Sequence, residues 1–277
     1  MNNPLITISI PTFNSEKFIE LCLTAVFNQT YKNFEVNIID GNSKDRTREI
    51  AKKFNIQALI CPEALLEARY QGTKLANGEY ILLLDSDQVL EPDALEKIVN
   101  RLNNKNCDTI ILGEDVYKKD TFVEKLFHLD RKLVHTINDI NPDTSVMLPR
   151  FYKKEILLQA FSNMNPEIRK KVGGQDHAII FYEVNKLTNN TEIIQNLVKH
   201  IEPNSLLVMI KKFFRWGKTS VGARFGEYDE MLKKKEVFRK GLFSKGLFIE
   251  SLASITLLLI KGIPYKIGYF YGKCRNK

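Results

Sequence analysis

The feature that most constrains the fold is a regular alternation of apolar, strand-like segments with helix-like segments in the N-terminal part of the chain. Strand-like segments lie at residues 5–10, 34–39, 57–60, 80–84 and 109–112, and apolar residues recur at helical spacing between them. The uninterrupted apolar run at 80–84 is typical of a strand that is covered on both faces. This rhythm predicts an α/β fold, a mostly parallel sheet sandwiched by helices.

Polar side chains follow three of the predicted strands. The segments are Pro11 to Asn14, Asp40 to Ser43 and Asp85 to Asp87. The carboxyl ends of parallel strands meet at one edge, where such sheets bind ligands, so we expect the three segments to converge. Two carboxylates spaced as Asp-x-Asp can reach one divalent cation, or one cation and a ribose, because Mg²⁺ and Mn²⁺ prefer oxygen ligands. No glycine-rich dinucleotide or P-loop motif is present, which disfavours those classes.

Composition and charge divide the chain in two. Hydrophobic residues make up 44% and charged residues 27%, which argues against a disordered chain or a multi-span membrane protein. The net charge is +8, but residues 199–277 hold 17 Lys and Arg against 6 Asp and Glu, which leaves −3 for residues 1–198. We therefore predict a catalytic domain at 1–202 and a helical, basic and apolar extension at 203–277. The basic asymmetry indicates nucleic acid or an anionic membrane surface, or else a solvated basic face. Of the two partners we expect the membrane surface and no nucleic acid.

Four segments, in order along the chain, resemble the motifs of a known family. They are residues 11–14, 39–47, 68–78 and 84–87, and together they extend over about residues 5–95. The chain resembles a family 2 glycosyltransferase with the GT-A nucleotide-diphospho-sugar transferase fold. The resemblance implies inverting transfer of a sugar from a UDP- or GDP-linked donor to a hydroxyl of a glycan or lipid-linked acceptor, with a divalent metal, Mn²⁺ or Mg²⁺.

The resemblance also implies roles for individual residues. Phe13 would lie near the nucleotide base, and Asp40 would accept a hydrogen bond from a base N–H, although Ile39 replaces the first acid of the family's Asp-Asp-Gly-Ser pattern. Asp87 would ligate the metal, Asp85 would approach the ribose or the metal, and His200 would supply a further metal ligand. The other expected donor contacts are Pro11, Thr12, Asn14, Arg69 and Ser86.

Two later segments complete the expected site. Asp176 matches the acid that acts as general base on the acceptor hydroxyl in the family, and the alternative is that it only caps the helix that follows. Gln175 stands where the family has Glu. Arg215 and Lys218 are expected to hold the diphosphate leaving group, or else to form an exposed basic helix face.

The length of the C-terminal apolar segment bears on whether it can span a bilayer. Ser251 to Ile260 are ten uncharged residues, which as a helix extend about 15 Å, half of a bilayer core. Gly262 and Pro264 are expected to break this helix. The segment therefore predicts an interfacial element instead of a span, and the alternative is packing on the enzyme body or in a homo-oligomer.

Cysteine spacing and the N-terminal sequence bear on location. The four cysteines form no C-x-x-C pair and no signal peptide is recognised, so we expect a reducing compartment and a protein peripheral to the cytoplasmic face of the cell membrane. Two other functions remain open at this point. One is a sugar nucleotidyltransferase, and the other is a non-enzymatic membrane- or nucleic-acid-binding module.

Overall fold

A computed structural model describes residues 3–137, 139–223, 227–237 and 246–275. The elements follow one another as β1 (Ile6–Thr12), α1 (Ile19–Phe27), β2 (Phe34–Asp40), α2 (Thr47–Lys53), β3 (Leu59–Ile60), α3 (Leu65–Leu75), β4 (Tyr80–Leu83), β5 (Gln88–Leu90), α4 (Ala94–Asn104), β6 (Thr109–Val116), α5 (Phe122–Ile137), β7 (Phe151–Lys153), α6 (Lys154–Asn163), α7 (Pro166–Arg169), α8 (Asp176–Asn185), β8 (Thr191–His200), α9 (Leu206–Thr219), a 3₁₀ turn (Ser220–Ala223), α10 (Glu227–Val237) and α11 (Phe248–Arg275).

Within these residues, eight strands form one sheet in the order β3-β2-β1-β4-β7-β6-β8-β5. Strands β1 to β4 are parallel to one another, β6 is parallel to β8, and β7 and β5 are antiparallel to their neighbours. The prediction of a mostly parallel α/β sheet is confirmed. Strands β5, β7 and β8 carry no clear strand pattern in the sequence, and they extend the sheet beyond the predicted set.

The sheet is covered on both faces, as the apolar run of β4 predicts. Leu82 and Leu84 pack in a core with the buried residues of α1 and α4, whereas Ile81 and Leu83 pack on the other face with α6 and α8. Because alternate residues of a strand point to opposite faces, a strand buried on both sides must be apolar throughout. The sheet edge that carries the polar turns is thereby held between two packed layers.

The C-terminal residues form helices that pack on the sheet domain. Helix α11 is one continuous helix, so the predicted break at Gly262 and Pro264 is wrong. Pro264 removes one backbone hydrogen bond, but α11 packs closely on α9, and this contact offsets the loss. If a Cβ were added to Gly268, it would lie only 2.0 Å from the carbonyl oxygen of Phe214 in α9. Glycine thus permits the close approach of the two helices.

Continuity of α11 also changes the length argument. Residues Phe248–Cys274 form a helix long and apolar enough to cross a membrane by length and composition, and 33% of its most apolar window is buried inside the protein. The sequence-based conclusion that this segment is too short to span is therefore wrong. Its contacts with the rest of the protein, and not its length, therefore distinguish a spanning helix from one that lies on a surface.

Candidate active site

The three polar turns after β1, β2 and β4 meet at one edge of the sheet. Asp40 is fully buried, and its carboxylate accepts hydrogen bonds from the Thr12 hydroxyl at 2.7 Å and from the Ser43 hydroxyl at 2.6 Å. The Ser15 and Ser86 hydroxyls lie 2.9 Å apart and join the first turn to the third. The structure thus brings together the segments that the sequence placed at the carboxyl ends of the strands.

Further contacts hold the Asp40 carboxylate in place. It also accepts the Ser43 backbone N–H at 2.8 Å and lies 3.8 Å from the Arg48 guanidinium. A fully buried carboxylate with these partners positions the turn, and the hydrogen bond to a nucleotide base expected for it stays a prediction. Buried Pro11 and Thr12 belong to the same support, whereas Phe13 is 60% exposed and Asn14 is exposed. Phe13 and Asn14 therefore present the exposed side chains of this turn.

Asp85 is clamped by two arginines, one on each carboxylate oxygen. Oδ1 accepts from Arg69 Nη2 at 2.5 Å, and Oδ2 accepts from Arg150 Nη1 at 2.8 Å. Burial alone would raise the pKa of Asp85, but the guanidiniums of Arg150 and Arg69 outweigh burial and hold that pKa well below its ordinary value. Both oxygens of Asp85 thus pair with cations, so Asp85 organises the residues around it, and the ribose or metal contact expected for it stays a prediction.

Arg69 joins Asp85 to Asp176. Its side chain is 1% exposed, and its Nε donates to Asp176 Oδ2. Arg69 is thus buried between two carboxylates, and the donor contact expected for it stays a prediction. Asp176 is the first residue of α8, after Gln175 in the left-handed region with φ of 65°.

The protonation of Asp176 follows from the same pairing. Burial would raise the pKa of Asp176, but the adjacent Arg69 cation outweighs burial and lowers it. The carboxylate is therefore ionised at neutral pH. Beside it, burial lowers the pKa of His177, and its Nε2 lies 2.6 Å from Arg150 Nη1, so the neutral ring accepts a hydrogen bond there.

Asp87 lies in a second cluster with His200 and Lys212. Asp87 Oδ1 lies 3.5 Å from His200 Nε2, and Oδ2 lies 3.4 Å from Lys212 Nζ. His200 ends β8, and its Nδ1 lies 3.3 Å from the buried carboxylate of Glu202. Lys212 comes from α9, so a residue beyond position 202 reaches the site. No local pattern in the sequence indicates a role for Lys212, since its partner Asp87 lies 125 residues away.

Ion pairs join Asp176 to Glu202, and His200, in contact with both Glu202 and Asp87, links them to the second cluster. We call this whole series the ion-pair chain. Between Asp85 and His200 it passes through residues that the sequence analysis did not single out. Arg150 also donates to Glu114 at 2.7 Å, Arg131 donates to Glu114 at 2.5 Å, and Arg131 donates to Glu202. In order, the members are Asp176, Arg69, Asp85, Arg150, Glu114, Arg131, Glu202, His200, Asp87 and Lys212.

A β-bulge explains how Glu114 enters this chain. The register between β6 and β8 shifts between Leu112 and Glu114, and Asn196 on the facing strand has φ of 58°. A Cβ on Gly113 would lie 2.6 Å from the Cα of Gln195, so only glycine allows this approach. A bulge redirects the side chain that follows it, and here Glu114 points to Arg150 and Arg131.

The two cations of α9 that the sequence analysis selected, Arg215 and Lys218, lie at other positions around the helix than Lys212. Lys218 lies about 120° around the helix from Lys212, and its Nζ is 5.7 Å from the ring centroid of Tyr271 in α11. The diphosphate contact expected for Lys218 stays a prediction. Arg215 is exposed, about 60° around the helix from Lys212. Lys212 is the cation of α9 that reaches the Asp-x-Asp turn.

The side chains that could hold a metal ion are fewer than the sequence implied. Among the residues that the structure describes, no group of three or more His, Cys, Asp and Glu is arranged as a metal site. Asp87 and His200 do form a pair. Two ligands about 2.1 Å from one ion lie roughly 3.0 to 3.5 Å apart, which matches the 3.5 Å between Asp87 Oδ1 and His200 Nε2. Mg²⁺ commonly takes one or two protein ligands and completes its shell with substrate phosphates and water.

The fold is shared with glycosyltransferases of solved structure. S. aureus TarS matches with a TM-score of 0.56 and 16% identity, over 94% of this chain and 81% of the TarS chain. The mannosyltransferase PcManGT from Pyrobaculum calidifontis matches with a TM-score of 0.58 and 15% identity, over 95% of this chain and 76% of its own. These similarities place the chain in the GT-A class of folds, as the sequence resemblance implied.

Sequence comparison identifies the family. The model of Glycosyl transferase family 2 matches residues 7–169, more than half of the chain, and the chain belongs to that family. GlyG of Streptococcus pneumoniae is 29% identical over 114 residues, 39% of this chain and 38% of GlyG. EpsH of Bacillus subtilis is 31% identical over 127 residues, 44% of this chain and 37% of EpsH. The chain thus spans less than half the length of these relatives.

Proposed function

We propose that this protein transfers a sugar, with inversion at the anomeric carbon, from a UDP- or GDP-linked donor to a hydroxyl of a glycan or lipid-linked acceptor. The observation that carries the proposal is the ion-pair chain, which joins an ionised carboxylate at Asp176 to the Asp87, His200 and Lys212 cluster. A base and a cationic leaving-group site are the two parts that glycosyl transfer needs. Solved structures of the same fold carry UDP-GlcNAc in TarS and GDP-Man with Mn²⁺ in PcManGT, which supports a nucleotide-sugar donor.

The donor would lie along the turns at the sheet edge. The exposed ring of Phe13 offers a face on which a nucleotide base can stack, and it packs on Gly41, where a Cβ would lie 3.2 Å from the ring. Asn14 follows Phe13 in the same turn, and the Ser86 hydroxyl lies 2.9 Å from that of Ser15, so both would offer polar groups to the donor. Lys212 would meet the diphosphate and offset the negative charge that develops as it departs.

Asp87 and His200 would hold a divalent cation, Mn²⁺ or Mg²⁺, which would also offset the charge of the diphosphate. Their spacing fits one ion, and the buried Glu202 carboxylate lies 3.3 Å from Nδ1, on the other side of the His200 ring. Lys212 remains on the other oxygen of Asp87. The ligand set is therefore two protein side chains, to be completed by donor phosphate oxygens.

Asp176 would act as the general base. Arg69 occupies Oδ2 and keeps the carboxylate ionised, and no donor among the described residues reaches Oδ1. Oδ1 would take the proton of the acceptor hydroxyl as its oxygen bonds to the anomeric carbon. The bond from that carbon to the diphosphate breaks on the opposite face, and a nucleoside diphosphate leaves. A positioned base contributes about 10² to 10⁴ in rate.

We place the acceptor at the cytoplasmic face of the membrane. All four cysteines are free, in agreement with a reducing compartment. The basic residues after position 198 favour an anionic surface, where a lipid-linked or membrane-proximal acceptor would be found.

Donor binding is tested by thermal unfolding with a panel of UDP- and GDP-linked sugars, with and without Mn²⁺. A ligand at 100 times its Kd stabilises the folded state by about 2.7 kcal/mol. We expect one donor to stabilise the protein in a metal-dependent way, and D87N to lose that stabilisation while keeping its own unfolding temperature. D93N is the matched control, because the Asp93 side chain is 45% exposed and its ion pair within the described residues is with Lys97 at 2.9 Å. Full donor stabilisation in D87N, or none in the unmodified protein, would overturn the proposal.

A further inference from the structure

Helix α11 has two different faces. Its inner face packs on α9 and α5 and holds fully or nearly buried residues, among them Ser254, Leu257, Gly268 and Gly272. A Cβ on Gly272 would lie 2.7 Å from the carbonyl oxygen of Lys218, so the two helices are also in close contact here, although less close than at Gly268. At the start of α11, Glu250 accepts from Lys132 of α5 at 2.6 Å. The inner face is therefore fixed to the enzyme along the length of the helix.

The outer face of α11 is apolar and exposed. Its large side chains follow one another at spacings of three, four and seven residues, so they form one stripe along the helix. Each is more than half exposed, and over about 21 residues the stripe is about 32 Å long. A soluble monomer rarely exposes so long an apolar stripe without using it in binding. The outer face consists of Ile249, Leu252, Leu259, Ile263, Ile267 and Phe270.

Charge complementarity indicates what covers this face. Helix α9 carries four basic residues and no acidic one, and α11 carries four basic residues and one acid, Glu250, which is already paired. Lys266 and Lys273 are exposed on α11, and Lys211 and Arg215 are exposed on α9. An apolar stripe flanked by Lys and Arg is the pattern of a helix that lies on an anionic lipid surface. A second copy of the chain would bring the same positive charges together.

The contacts of α11 also decide between lying on a bilayer and crossing it. To cross, the helix would have to leave α9 and α5, expose the small residues of its inner face and break the pair between Glu250 and Lys132. Lying in the interface keeps all of these contacts and buries only the outer face, to a depth of about 5 to 10 Å.

We infer that the outer face of α11 docks on an anionic lipid surface, with the helix parallel to that surface and the enzyme body above it. The inference rests on the proposed function only for the placement of the acceptor. Helix α9 links the two regions, because it contacts α11 on one side and carries Lys212 to Asp87 on the other. Docking would therefore orient the donor site at a fixed distance from the lipid.

The test is co-sedimentation of the full chain with vesicles of neutral phosphatidylcholine and with vesicles that also contain phosphatidylglycerol. We expect binding to the anionic vesicles, weakened by salt, and about tenfold or more weaker binding for the double variant L259S and I263S. The control is L75S, which changes an exposed leucine on α3. Equal binding by the double variant and the control would overturn the inference.

Two further measurements separate the other occupants. Resistance to alkaline extraction from native membranes would show that α11 spans, and loss of a dimer in the double variant with unchanged vesicle binding would show an interface between copies. Either result overturns the inference. Metal-dependent donor stabilisation is measured on the same variants without vesicles. If it persists while vesicle binding is absent, only the docking inference fails, whereas its absence in the unmodified protein contradicts the proposed function.

Discussion

Replacement of Arg150 by Met tests the ion-pair chain at its centre. Arg150 donates to Asp85 at 2.8 Å and to Glu114 at 2.7 Å, and its side chain is 13% exposed. Removal of one partner of a buried ion pair lowers the free energy of unfolding by about 3 to 5 kcal/mol, because an uncompensated charge stays behind. In R150M, Asp85 still pairs with Arg69 and Glu114 still pairs with Arg131. We therefore expect a loss in the free energy of unfolding at the lower end of this range, about 3 kcal/mol.

The pH dependence gives the same prediction an internal check. The pKa values of Asp85 and Glu114 are lowered in the folded state below their ordinary values of 3.8 and 4.5. Their contribution to stability is therefore full above about pH 5 and is lost as the pH falls. In R150M these pKa values rise toward the unfolded ones. The stability gap between the unmodified protein and R150M should thus be largest near pH 7 and shrink toward pH 4.

The assay is urea unfolding followed by the fluorescence of Trp216, the single tryptophan. The control is R101M, since Arg101 pairs with Glu192 at 2.6 Å but is 33% exposed, and such pairs contribute at most about 1 kcal/mol. A loss in R150M no larger than that in R101M, or a gap that is constant from pH 7 to pH 4, would refute the reasoning.

Two further predictions concern α9 and its contacts. K212M should lower kcat/KM for the donor about tenfold or more, because a cation beside the diphosphate is lost. K211M, at an exposed position, should leave kcat/KM within about twofold. Steady-state kinetics at saturating metal measures both variants, and equal effects would contradict the role of Lys212. G268A should lower the unfolding temperature by several degrees, because its Cβ would lie 2.0 Å from a backbone oxygen of α9. G262A, at a position with open space around it, should change the unfolding temperature little or not at all. Similar melting curves for the two variants would count against the close contact between α9 and α11.

Local pattern in the sequence predicted the edge of the sheet at which the site lies. Asp85 and Asp87 follow a strand that is apolar on both faces, and this arrangement needs only local pattern to be recognised. Their partners could not be predicted in that way. Arg150 lies 65 residues from Asp85 and Lys212 lies 125 residues from Asp87, and neither stands in a segment with a recognisable motif.

Tertiary contacts that local pattern cannot show decide two features of the structure. Arg69 lies in the interior, where Asp85 and Asp176 hold it. Pro264 was expected to end a helix, but the glycines of α11 allow a close contact with α9 that keeps the helix continuous. Both outcomes depend on which residues meet in the fold, and local propensity carries no information about that.

The central claim is that Asp176 and the Asp87 cluster together transfer a sugar and release a nucleoside diphosphate. The direct measurement is ³¹P NMR of the products formed from the donor found by thermal unfolding, in the presence of membrane extract as a source of acceptor. The account predicts UDP or GDP as the phosphorus product, and a rate in D176N lower by about 10² or more with donor stabilisation retained. Release of pyrophosphate, or a D176N rate within a few-fold of the unmodified enzyme, would contradict it.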